Sequence, residues 1–198
     1  MRSPPTWVLG YHGCDREVAE EIFAGRALLG PSKNDYDWLG HGAYFWENSP
    51  SRALEFASQA TKQPKRTRGK IKTPAVVGAV IDLGECLDLL EASSIRIVSD
   101  GYERLVRALQ ENGLPLPENR LSSTSGEVSL RMLDCAVFEF VHKVREIEGL
   151  PKFTSVRAAF VEGNPIYPTA GFNERSHIQI CVREPSTIHG YFRVAGFP

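Results

Sequence analysis

The 198 residues of this chain, 42% of them hydrophobic and 24% charged, are enough for one folded domain with a substantial core, and we expect 1–198 to form it. A formal net charge of -1 excludes a global field that would draw the whole protein onto nucleic acid or an anionic membrane. No apolar run approaches the ~20 residues that cross a bilayer. Four widely spaced cysteines without a CxxC pair, and no apolar leader before them, predict a reduced, cytoplasmic protein.

The N-terminal residues predict a strand followed at once by a helix. Residues 6–11 favour extended structure, and this strand ends at His12-Gly13. Asp15 is placed to cap a helix with one apolar stripe, which Gly25 closes.

The stretch 39–47 combines Gly40, His41 and Gly42 with three aromatic side chains. Glycine weakens a strand unless another group approaches its backbone, so the stretch indicates either a bent hairpin with buried aromatic residues or a slot for a flat ligand. Ser49 and Pro50 then predict the start of a helix that has small residues on one face.

Residues 62–72 change abruptly in composition and predict a mobile loop. This basic loop is either plain solvated surface or a contact for phosphates of nucleic acid or a nucleotide. Its six positive charges, with no acid among them, are Lys62, Lys65, Arg66, Arg68, Lys70 and Lys72.

The middle of the chain predicts a buried strand over 75–83 and an extended segment over 85–89. A helix capped by Ser99 or Asp100 follows and stops at Asn112-Gly113. Residues 114–126 predict a surface loop, and Leu130 belongs to the buried face of a further helix.

The C-terminal part predicts strands over 156–161, 176–183 and 188–194. Alternation over 176–183 places the aliphatic side chains on one face. The other face then presents polar groups towards something that is not the apolar core. These groups are His177, Gln179, Cys181 and Arg183.

Several short motifs in order resemble the ADP-ribosyltransferases of the diphtheria-toxin and poly(ADP-ribose) polymerase clade. The resemblance covers about residues 11–192 and implies an α+β fold, a split β-sheet core with flanking helices around an NAD cleft. The motifs are Tyr11-His12-Gly13, Gly40-His41-Gly42-Ala43-Tyr44-Phe45, Arg52-Ala53-Leu54-Glu55-Phe56 and His177-Ile178-Gln179-Ile180.

The family's His, Tyr and Glu triad carries over to His12, Tyr44 and, at its third position, Gln179. By this resemblance His12 hydrogen-bonds the adenosine-side ribose and the Gly13 backbone pairs with the nicotinamide carboxamide. Tyr44 stacks on the nicotinamide ring. The remaining NAD-binding candidates are Gly42, Phe45, Ser51, whose hydroxyl reaches the carboxamide, Phe56, which covers the ring's opposite side, and His177.

Gln179 departs from the family pattern, because glutamine carries no charge to stabilise the cation that develops when the nicotinamide–ribose bond breaks. The resemblance therefore implies transfer of a single ADP-ribose with release of nicotinamide, NAD hydrolysis, or an inactive module that binds NAD, ADP-ribose or nucleic acid. Glu162 and Glu174 lie nearby in sequence and are candidates for the missing carboxylate.

The implied partners are NAD as co-substrate and a macromolecular acceptor. The acceptor is a protein, or a nucleic acid bound by the basic loop. The loop 163–176 takes part in recognition of the acceptor. Bacterial members of this family often act as toxins with a dedicated inhibitor, so the resemblance also implies a toxin or defence effector with an inhibitor protein as partner. We expect no membrane contact and no metal site, because His12 and Cys14 have no second pair at zinc-like spacing.

Overall fold

The computed structural model describes residues 6–62, 71–121 and 128–198. The protein is α+β, as the sequence predicts. In chain order its elements are β1 (Trp7–Asp15), α1 (Arg16–Phe23), β2 (Ala43–Glu47), α2 (Pro50–Lys62), β3 (Pro74–Asp82), β4 (Cys86–Asp88), α3 (Ala92–Glu111), β5 (Asn119–Leu121), β6 (Val128–Arg131), α4 (Met132–Ile147), β7 (Ser155–Phe160), β8 (His177–Val182), a 3-10 turn (Pro185–Thr187) and β9 (Ile188–Arg193).

Seven strands form one sheet in the order β4-β7-β8-β2-β1-β3-β9, and β5 and β6 form a separate hairpin. Neighbouring strands are antiparallel except for the parallel pair β4 and β7. The apolar run over 75–83 becomes β3, which is buried as predicted and lies one strand from the edge of the sheet.

The sheet opens between β1 and β2. β1 pairs with β3 along its whole length, from Trp7 opposite Asp82 to Asp15 opposite Pro74. Between β1 and β2 the register has two pairs, Gly10 with Glu47 and Tyr11 with Trp46. β2 meanwhile stays paired with β8. The two strands therefore diverge beyond Tyr11, beside His12 and Gly13.

Helices cover both faces of the sheet. On the first face, α1 packs over Phe45, Val77 and Ile180. On the second face, α4 covers the β7–β8 half, and α2 covers β1 and β3. The buried side chains of α2 are alanines, as its sequence predicts, so the helix lies close to the strands.

Four predicted boundaries differ from the structure. β1 continues through His12 and Gly13 to Asp15. α3 begins at Ala92, about two turns before the predicted cap at Ser99 or Asp100. The predicted loop 114–126 contains β5, and Leu130 lies in β6 rather than in a helix. Most of the basic loop, residues 63–70, lies outside the described residues.

Candidate functional site

Three of the sequence motifs lie on adjacent strands. β1 carries His12, β2 carries Tyr44, and β8 carries Gln179. Across the opening of the sheet, His12 Nδ1 is 2.8 Å from the Tyr44 carbonyl oxygen. Because a carbonyl only accepts, the hydrogen is on Nδ1. Burial lowers the pKa of His12, so its imidazole is neutral at pH 7.

The phenol of Tyr44 points away from His12. Successive strand residues face opposite sides, and the His12 ring contacts the Phe45 ring at a centroid distance of 5.9 Å, whereas Tyr44 packs into the cluster under α4. The Tyr44 hydroxyl donates to the Gly40 carbonyl at 2.7 Å and accepts from the Leu39 N–H at 2.8 Å. Burial raises its pKa. In this arrangement Tyr44 closes the loop that precedes β2.

Gln179 lies on the second face of the sheet, the same face as Tyr44. It sits in register between Trp46 of β2 and Ala158 of β7 and is half-buried. None of the described residues hydrogen-bonds its side-chain amide. Among the described residues the amide thus differs from the Tyr44 hydroxyl, which has two hydrogen-bond partners.

The prediction that β8 presents its polar face away from the apolar core is wrong for two of its four side chains, Cys181 and His177. Cys181 is fully buried against Phe138 and Val141 of α4, and His177 is 9% exposed. The reason is that α4 and the segment after β7 cover this face, whose two-residue alternation in the sequence does not reveal what packs on it.

Two predicted glycines approach protein groups rather than open space. A Cβ on Gly13 would lie 2.1 Å from the Ala53 carbonyl oxygen, so α2 covers Gly13 on that side. A Cβ on Gly42 would lie 2.5 Å from the Cys181 sulfur. Both positions need glycine for the packing of this fold itself.

The two candidates on α2 lie apart from the Tyr44 ring. Ser51 is exposed in the first turn of the helix. Phe56 is 37% exposed and packs on the Trp46 ring, with centroids 5.2 Å apart and planes at 43°. Phe56 therefore contacts Trp46, a residue that the sequence alone does not mark as a site candidate.

A cluster of polar and aromatic side chains surrounds Trp46 and His177 at this end of the second face. Arg52 Nη2 donates to Glu162 Oε2 at 2.9 Å, and the same oxygen is 3.8 Å from His177 Nδ1. The His177 ring stacks on Phe160 at 5.7 Å and lies 6.3 Å from Trp46. The signal that finds Trp46 is its position two residues after Tyr44, on the same face of β2.

Of the charged neighbours, Arg52 also pairs with Glu55, and Arg175 lies 3.6 Å from Glu162. His177 Nδ1 lies 2.6 Å from the Arg175 carbonyl oxygen and so carries its hydrogen there. Burial lowers the pKa of His177, which makes the ring neutral at pH 7 and leaves Nε2 as an acceptor.

The cysteines are free, and three of the four are buried. Burial raises the pKa of Cys14 and of Cys181 to about 12, which makes both thiols poor nucleophiles. Among the described residues no group of three or more His, Cys, Asp or Glu side chains is arranged to hold a metal ion. Over the same residues, none of the helices combines the length and apolar character needed to cross a membrane.

Comparison with known proteins gives a relative without an assigned role. The chain is 27% identical over 192 residues to an uncharacterized protein of the archaeon Methanocaldococcus jannaschii, an alignment that covers 90% of this chain and 83% of the relative. No protein-family model matches the chain, and no solved structure matches it.

Proposed function

We propose that this chain is an NAD-dependent mono-ADP-ribosyltransferase, which moves one ADP-ribose from NAD to a macromolecular acceptor and releases nicotinamide. The observation that carries the proposal is the position of three motifs, distant in sequence, on the neighbouring strands β1, β2 and β8. The opening between β1 and β2 supports the proposal, because a split sheet is what the family resemblance implies. His12 bridges that opening to the Tyr44 carbonyl.

The polar groups near Gln179 suit a slow single transfer. Breaking the nicotinamide–ribose bond develops positive charge on the ribose, which a nearby carboxylate stabilises best. Gln179 supplies a hydrogen-bonding amide without charge. Glu162 supplies a carboxylate in the same region, although Arg52 and Arg175 offset its charge.

A catalytically inactive module that binds NAD or ADP-ribose is the second candidate. The internal hydrogen bonds of the Tyr44 hydroxyl favour it, because a phenol already used by Leu39 and Gly40 is not free to serve a reaction. The neutral side chain of Gln179 favours it as well.

Incubation with labelled NAD and a cell extract distinguishes the two candidates. For the transferase we expect nicotinamide release and labelled macromolecules, and at least a tenfold loss of both in His12→Ala and in Gln179→Ala. Gln110→Ala, at an exposed position of α3, is the matched control and keeps full activity. Binding of NAD without nicotinamide release over hours contradicts the transferase and supports the inactive module.

A further inference from the structure

Buried nitrogen atoms without a partner gather around Trp46. Over the described residues, five buried side-chain nitrogen atoms lack a hydrogen-bond partner, and three of them are Trp46 Nε1, Arg52 Nε and His177 Nε2. The Trp46 and His177 rings are 6.3 Å apart, and Glu162 links Arg52 to His177. Because an unpaired buried polar group is destabilising, such a concentration indicates a place that a polar molecule fills.

The three nitrogen atoms define a hydrogen-bonding pattern. The indole of Trp46 and the Nε of Arg52 are donors. His177 Nε2 is an acceptor, since its Nδ1 hydrogen faces the Arg175 carbonyl at 2.6 Å. Two donors beside one acceptor match a primary carboxamide, whose oxygen accepts twice and whose NH₂ group donates.

The neighbouring side chains favour a flat ring next to that amide. Trp46, Phe56 and Phe160 supply aromatic surface around His177. Phe56 is 37% exposed and contacts the Trp46 ring, so part of this aromatic surface is open to solvent. The Gly13 backbone, assigned to the carboxamide by family resemblance, is covered on this face by α2.

We infer that Trp46, Arg52 and His177 form the subsite for an aromatic carboxamide, namely the nicotinamide end of NAD. The inference rests on the proposed function for the identity of that amide. It assigns the recognition of the carboxamide to side chains of β2, α2 and β8, in place of the Gly13 backbone and Ser51.

Calorimetric titration with nicotinamide and with nicotinic acid tests the subsite. Nicotinic acid lacks the N–H that His177 Nε2 accepts, and we expect it to bind at least tenfold more weakly than nicotinamide. Trp46→Phe keeps the ring and removes the donor, and His177→Asn keeps a donor towards Arg175 and removes the acceptor. Each variant loses about tenfold in nicotinamide affinity.

His142→Asn is the matched control, because His142 also has a buried Nε2 without a partner but packs beside Phe153. It keeps wild-type affinity, and thermal unfolding verifies that all variants fold. Equal affinity for the two ligands, or no effect of Trp46→Phe and His177→Asn, overturns the inference. The inference is also overturned if the wild type does not bind nicotinamide and the two variants lose binding of ADP-ribose.

Nicotinamide release from NAD, measured on the same samples, separates this inference from the proposed function. Release by the wild type together with unchanged nicotinamide affinity in both variants overturns the subsite and leaves the transferase standing. Variant-sensitive amide binding without release supports the subsite and contradicts the transferase.

Discussion

Tyr44 shows how one side chain in a functional motif also holds a loop. Its hydroxyl satisfies the Leu39 N–H and the Gly40 carbonyl, both in buried residues. Removing the hydroxyl leaves the Leu39 N–H without this partner and leaves the Gly40 carbonyl with only the Cys181 thiol at 3.6 Å. An unpaired buried backbone group costs its desolvation energy. The loop before β2 therefore depends on Tyr44 whether or not NAD binds.

We expect Tyr44→Phe to lower the free energy of unfolding by about 1–3 kcal/mol, measured by urea denaturation. Tyr167→Phe, at a residue 56% exposed, is the control and changes stability by less than about 0.5 kcal/mol. A stable Tyr44→Phe variant that loses nicotinamide release would instead assign the hydroxyl to the chemistry.

The candidate site could be predicted in part from single residues. The motifs locate His12, Tyr44 and Gln179 in sequence, but they do not determine the direction of the Tyr44 ring, which depends on hydrogen bonds to Leu39 and Gly40. Glu162 is found by its proximity to β8 in the chain. Arg52 and Trp46 become site residues only once α2 packs beside the segment after β7, which is a long-range contact.

At the scale of elements, Asp15 connects the cap of α1 to the segment that leads into β3. Its carboxylate accepts from the Glu17 N–H at 3.0 Å, as the sequence predicts for a helix cap. It also accepts from the N–H groups of Lys72 at 2.6 Å and Thr73 at 2.9 Å. These two bonds join residues more than fifty positions apart and are not visible in the sequence.

The hydrogen bonds from Thr73 and Lys72 hold the pKa of Asp15 below its usual value. A carboxyl group whose pKa is lower in the folded state than in the unfolded chain stabilises the fold. This stabilisation is complete above the pKa of the unfolded chain, about 3.9, and is lost as the pH falls through the pKa of the folded state. We therefore expect Asp15→Asn to be less stable than wild type by about 1–2 kcal/mol at pH 7.

The stability difference between wild type and Asp15→Asn shrinks below about pH 4, as followed by urea denaturation at several pH values. Asp35→Asn, at an exposed residue, is the control and has little effect at pH 7. A difference that stays constant from pH 7 to pH 3 would contradict a role for the Asp15 charge.

Elements with a local signal are predicted well, and those that depend on packing are not. The start of α2 follows from Ser49 and Pro50, and the end of α3 follows from Asn112 and Gly113. The first turns of α3 are missed because Ile95 and Ile97 favour extended structure on their own. Packing overrides that preference. A Cβ on Gly101 would lie 2.3 Å from Val141 Cγ2, so glycine allows α3 to lie directly on α4.

For the whole molecule, the order of the strands is what the sequence reveals least. The sequence clearly predicts that β3 is a buried strand. Its place between β1 and β9, however, depends on pairings between residues far apart in the chain. The same long-range pairing brings β8 beside β2 and leaves β1 and β2 to diverge. The opening that supports the proposed NAD site is therefore a property of the assembled sheet.

Arg157 of β7 joins three strands on the first face of that sheet. Its Nε and Nη2 donate to the two Glu47 oxygens at 2.6 and 2.9 Å, and its Nη1 donates to Asp88 at 3.0 Å. The Glu47 side chain is 9% exposed and that of Arg157 is 17% exposed. The Glu47 carboxylate raises the pKa of Arg157, so the guanidinium stays ionised across the physiological range.

We expect Arg157→Ala to lower the free energy of unfolding by about 3–5 kcal/mol, because it leaves the charge of Glu47 buried without a partner. Adding Glu47→Gln to Arg157→Ala removes that charge and restores part of the loss, which distinguishes the electrostatic cost from lost packing. Arg26→Ala is the control, since Arg26 forms an exposed pair with Glu21, and exposed pairs contribute little to stability. Urea denaturation at pH 7 measures the free energy of unfolding of the wild type and of the three variants. Equal effects of Arg157→Ala and Arg26→Ala would mean that the three strands are held by their backbone ladder and apolar clusters alone.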